Sequence, residues 1–91
     1  MTNLIWRVTV ADETHWEDRA KALLKSEIKR RNLTYAQVVD RLASIGVQDD
    51  ERNFRNKVAR GKFTAAFLLQ CLEAIGAQSV RLDDFHKAAS D

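Results

Sequence analysis

Proline is absent from this chain, and glycine occurs only three times and cysteine once in 91 residues. Without proline no helix is forced to kink from within, and three glycines leave few sites for abrupt reversal. The lone Cys71 cannot form an internal disulfide, which points to a reducing, cytoplasmic setting. No apolar run approaches the roughly 18 residues of a membrane span, and no basic segment followed by an apolar one opens the chain. No membrane partner is therefore expected. The two histidines, His15 and His86, lie near opposite ends. There is no Cys/His pair at zinc spacing, no glycine-rich phosphate loop and no H-E-x-x-H. An enzyme, a cofactor and a metal site are accordingly not expected.

What the chain has is a hydrophobic content of 45%, spread along nearly its whole length, which argues against disorder. Its length suits one domain over residues 1–91. The net charge of +2 hides a segregation. Residues 19–62 hold twelve Lys/Arg against five Asp/Glu, while the two ends together hold three bases and eight acids. A basic middle between acidic ends points to a polyanionic partner.

Residues 3–10 alternate Leu4, Trp6, Val8 and Val10 with Ile5, Arg7 and Thr9, the period of a half-buried strand. Such a strand needs a partner, either the strand-like segment 79–82 or its own copy across a dimer. The alternative is a terminal arm whose Trp6 packs onto the domain. Thr14 and Glu17 form a capping box that opens helix one. Its face of Trp16, Ala20, Leu23, Leu24 and Ile28 follows helical spacing, and Asn32 closes it. A second capping box, Thr34 with Gln37, opens helix two. Ala36, Val39, Leu42 and Ala43 give its buried stripe, with Val38 and Ile45 adding to it. Gly46 takes the left-handed position after that helix. Two or three residues then lead to Asp49, the expected N-cap of helix three. Helix three buries Phe54 and Val58 and ends near Gly61. Thr64 caps helix four, whose residues 65–75 are apolar on most sides. A core of residues 14–76 is followed by an extension, 77–91, in which Phe85 of a short last helix would fold onto the domain.

Two short helices joined by a tight glycine turn, the second one basic, make the helix-turn-helix pattern. Leu33-Thr34, the turn at Gly46-Val47, Val58-Ala59-Arg60-Gly61-Lys62 and the leucine-rich run Phe67 to Gly76 resemble the lambda-repressor-like (Cro/C1-type) helix-turn-helix domain. That resemblance covers about residues 16–76 and implies a mainly α fold of four to five helices, here with a short N-terminal β-strand. The chain departs from the family in having Tyr35 where members have a phosphate-binding Gln, with Gln37 two residues later. The run from Trp16-Glu17-Asp18-Arg19-Ala20-Lys21 to Ala74-Ile75-Gly76 also resembles a small bacterial family known only as a domain of unknown function. This second likeness implies a bacterial source.

In a helix-turn-helix protein, helix three, about residues 50–60, is the recognition helix of the major groove. Arg52, Asn53 and Asn56 are the expected base readers, because Arg matches guanine and Asn matches adenine in bidentate geometry. Arg30, Arg31, Tyr35, Gln37, Arg55, Lys57, Arg60 and Lys62 are the expected backbone contacts. The reading is a sequence-specific double-stranded DNA-binding protein that regulates transcription, working as a homodimer through the N-terminal strand, helix four or both. The alternative is a protein-interaction module, an antitoxin or adaptor, on a similar fold. An RNA binder lacks an aromatic stacking platform here.

Overall fold

The structure is a computed structural model that describes residues 2–82, with side chains from residue 14 onward. Four α-helices occupy these residues: α1 (Thr2–Arg30), α2 (Tyr35–Ser44), α3 (Glu51–Arg60) and α4 (Ala65–Ala74). The mainly α expectation holds. No strand is seen among the described residues, and residues 79–81 form no ladder. The backbone of 2–13 instead runs as the first part of α1. A solitary strand would leave its amides and carbonyls unpaired, whereas a helix satisfies them within itself. The capping box expected at Thr14 is absent for the same reason, since Thr14 lies inside α1 rather than at its start. The short helix expected around Phe85 lies outside the described residues.

Helix boundaries follow from local chemistry. Thr34 caps α2 reciprocally: its hydroxyl accepts from the Gln37 amide at 3.1 Å, and its own amide donates to the Gln37 side chain at 2.8 Å. Asp50, not Asp49, caps α3, accepting from the Asn53 amide at 2.7 Å. Thr64 caps α4 through the Phe67 amide at 3.0 Å. Three helices end alike. After α1, α2 and α4 the chain turns left-handed at Asn32, Gly46 and Gly76. The next amides, of Leu33, Val47 and Ala77, reach back to the carbonyls of Ile28, Leu42 and Leu72. Each is a Schellman turn, and each following residue packs against the core.

The core is built from all four helices. Leu24 and Ile28 of α1, Val38 and Leu42 of α2, Phe54 and Val58 of α3, and Phe67, Cys71 and Leu72 of α4 form one buried cluster closed by Ile75. Both α1 and α2 pack on α3 and α4. Burying each of the larger side chains contributes about 1.5–3 kcal/mol. The buried line of α2 is Val38–Leu42, while Ala36, Ala43 and Ile45 are exposed. Small alanines set no face, so the expected stripe was rotated by about one residue position. Trp16, expected in the core, is 57% exposed, with its ring between Arg19 at 4.6 Å and His15 at 5.5 Å. Between Gly46 and the cap at Asp50 lie Val47, Gln48 and Asp49, within the two or three residues expected. The partly buried Val47 packs against the core, and Asp49 sits just ahead of the true cap.

Where α3 ends, α1 crosses it closely. Gly61 has φ +70°, and a Cβ there would lie 2.6 Å from the Glu17 carbonyl oxygen. Lys21 of α1 donates to the Ala59 carbonyl at 3.3 Å and so satisfies a free acceptor at the end of α3. Gly46 has a similar φ of +88° but open space around it. Replacing Gly46 by Ala should therefore cost only the left-handed penalty, about 1–2 kcal/mol. Gly61→Ala adds a backbone collision and should cost more than Gly46→Ala in a denaturant titration.

Candidate nucleic-acid interface

Helix α3 has two sides of opposite character. Phe54 and Val58 are buried, and at 100° per residue Arg52 and Asn56 point away from them. Arg60 and Ala59 extend this exposed face toward the C-terminus. Arg52, Asn56 and Arg60 form no hydrogen bond or ion pair among the described residues. Their cationic and amide groups are available to a ligand.

The first turn of α3 is acidic, and its carboxylates are engaged internally. Asp49 precedes the helix with its side chain only 4% exposed. Its Oδ1 accepts from the Asp50 amide at 2.9 Å and from the Asn53 Nδ2 at 3.1 Å. Its Oδ2 accepts from Lys57 Nζ at 3.1 Å. Burial alone would raise the Asp49 pKa, but the hydrogen bonds from Lys57, Asn53 and Asp50, with the Lys57 charge, outweigh it and hold it below 3.8. Asp50 is spent on the cap, and Glu51 pairs with Arg55. The same Asp49 charge adds to burial in pushing the Cys71 thiol up to about 12, with Lys57 opposing it. A thiol so raised stays protonated and unreactive at neutral pH.

The remaining expected contact residues divide into those held by the fold and those left outward. Lys57 is half-buried, paired with Asp49, and sits 4.8 Å over the Phe67 ring. Arg55 pairs with Glu51 and lies 5.7 Å over the Tyr35 ring, which itself meets Phe54 edge-on at 5.2 Å. Tyr35 is half-buried, and Gln37 is engaged in its capping box. Arg31 donates to Glu27 Oε1 at 2.7 Å and to the Glu27 carbonyl at 3.0 Å. Arg30 lies 3.6 Å from the same carboxylate but stays largely exposed. Lys62 is exposed beside Phe63 and Thr64, at the start of α4. The structure thus gathers Arg52, Asn53, Asn56 and Arg60 on one outward surface, and assigns Arg31, Lys57 and Gln37 to structural contacts.

Two features of this region were missed in the sequence. Glu27 is a buried charge, 3% exposed, neutralised by Arg31 and Arg30. The i, i+4 spacing of Glu27 and Arg31 was visible, but it is equally common on a solvated helix. Asp49 and Lys57 are eight residues apart across a loop and a helix start, and no local pattern announces that pair.

Because the Asp49 pKa is depressed on folding, its contribution to stability is complete above the unfolded value of 3.8 and is lost as pH falls through the folded value. Thermal melts of the protein should lose stability below about pH 4 more steeply than melts of Asp49→Asn.

Residues 16–80 match the sequence profile of a family described as a domain of unknown function (DUF6471). No curated protein matches the chain, and no solved structure does.

Proposed function

We propose that this chain, which belongs to the DUF6471 family, is a helix-turn-helix protein of the lambda-repressor-like type that binds duplex DNA through α3 and regulates transcription. The supporting observation is the outward row of Arg52, Asn56 and Arg60, opposite the buried Phe54 and Val58. Arg and Asn are the two side chains best matched to purine edges in the major groove. Phosphates would be held by Arg60, Lys62, Arg30 and the Arg55 guanidinium. Repulsion between the acidic tip and the backbone of DNA is reduced, because Asp49 and Glu51 carry their own cations and Asp50 caps the helix.

Electrophoretic or fluorescence titration against duplex DNA tests this. About six phosphate contacts would cost on the order of a thousandfold in affinity between 50 and 200 mM salt. Arg52→Ala should relax sequence preference, whereas Lys62→Ala should weaken all sequences alike and flatten the salt slope. If neither change alters binding to any duplex, α3 is not the groove helix.

One observation favours a second reading, a protein-interaction module such as an antitoxin or adaptor. Trp16, Leu69 and Leu82 are 57%, 66% and 60% exposed, and Trp16 and Leu82 line an apolar groove with Ala20, Leu23 and Leu68. In the DNA-binding reading this surface of α1 and α4 takes a second copy of the chain, since one small module buries little area on DNA and two-fold pairing doubles it. Trp16→Glu should then convert a dimer to a monomer in sedimentation experiments and weaken binding to paired half-sites. A chain that is monomeric with Trp16 intact would assign the surface to a different protein.

A further inference from the structure

We infer that Asp49 is a positioning residue that sets Asn53 to read adenine. The inference rests on the reading of α3 as the groove helix. Asn53 carries an amide whose oxygen and nitrogen can exchange places by a half-turn of the side chain, and the two orientations present opposite patterns to a base edge. A carboxylate accepts hydrogen bonds and cannot donate them, so only the NH2 end of Asn53 can face Asp49. The Asn53 Nδ2 to Asp49 Oδ1 distance is 3.1 Å. That bond uses one of the two N–H groups. The second N–H and the carbonyl oxygen are left free on an exposed residue.

This free pair is what adenine requires in the major groove. The amide oxygen accepts from adenine N6, and the amide N–H donates to adenine N7. Asp49 is itself held. The Asp50 amide donates to the same Oδ1 at 2.9 Å, and Lys57 Nζ donates to Oδ2 at 3.1 Å. With its side chain 4% exposed, the carboxylate has little freedom to turn. It also ties Asn53 at the start of α3 to Lys57 a turn later, so the anchor moves with the helix. Preorganisation of this kind removes the cost of ordering an exposed amide when DNA arrives. Arg52 and Asn56 have no comparable anchor among the described residues.

The experiment is selection from a randomised duplex library with the full chain, followed by competition between the preferred duplex and one altered at a single base pair. Asn53→Ala should lose preference at one A·T pair by about 5- to 150-fold, with binding to non-specific duplex and its salt slope unchanged. Asp49→Ala should lose the same preference, and the double variant should lose no more than either alone. Asp49→Asn, whose amide can donate as well as accept, no longer fixes which end of Asn53 faces the base and should lose part of that preference. Ile75→Val, a core change at a residue that does not touch the anchor, should lower thermal stability and keep the preference, which separates positioning from a general loss of structure. If Asp49→Ala does not fold, the comparison of Asn53→Ala with Asp49→Asn decides. Unchanged preference in Asn53→Ala, or in a folded Asp49→Ala, overturns the inference while leaving DNA binding by α3 standing. Unchanged preference in Asp49→Asn also overturns it. Absence of any duplex binding by the unaltered chain overturns the reading of α3 itself.

Discussion

Phe54 is fully buried, with the Tyr35 and Phe67 rings centred 5.2 and 5.8 Å from its own. An aromatic ring held on both sides leaves α3 no freedom to rotate about its axis, because any rotation would drag the ring out of a close-packed site. Val58, one turn on, fixes the same face. The outward row of Arg52, Asn56 and Arg60 is a direct consequence. Helix α3 is the most polar of the four, and two apolar side chains decide what its polar ones can reach.

The ends of α3 are held as firmly as its middle. At the start, Asp49 gathers the Asp50 amide, Asn53 and Lys57. At the finish, Gly61 lets the Glu17 carbonyl of α1 come closer than any side chain would permit. Lys21 from the same helix satisfies the Ala59 carbonyl. The orphan groups of a ten-residue helix are a large share of its backbone, so these terminal contacts matter more here than they would on a long one. They also divide the basic residues into two kinds. Lys57 and Arg31 neutralise carboxylates that the fold has buried or nearly buried, Asp49 and Glu27. Arg52, Arg60 and Lys62 remain for an external anion.

Much of the helical order was legible in the chain. The caps at Thr34 and Thr64, the helix end at Asn32, the left-handed turn at Gly46, and the burial of Phe54 with Val58 are local features written over three to five residues. The errors have physical causes of a different range. Residues 3–10 alternate like a strand, but alternation describes a face and does not supply the neighbouring strand that would make it stable. Trp16 fits the helical face of α1, yet it stands where the Glu17 carbonyl meets Gly61, at the margin of the packed region. Asp49 and Asp50 are both plausible caps by composition. The one chosen depends on how the loop from Gly46 threads past Val47.

The sequence by itself determined the helices from Leu23 onward, their terminations and the outward composition of α3, because capping, turn chemistry and hydrophobic spacing act between residues a few positions apart. Only the tertiary structure decided which basic residues are free. Whether Lys57 faces solvent or a buried carboxylate depends on where the chain places Asp49 eight residues earlier, and whether Arg31 is free depends on how deeply packing draws in Glu27. Those outcomes are set by the joint packing of α1, α3 and α4, since a buried charge must find its partner wherever the close-packed core leaves it.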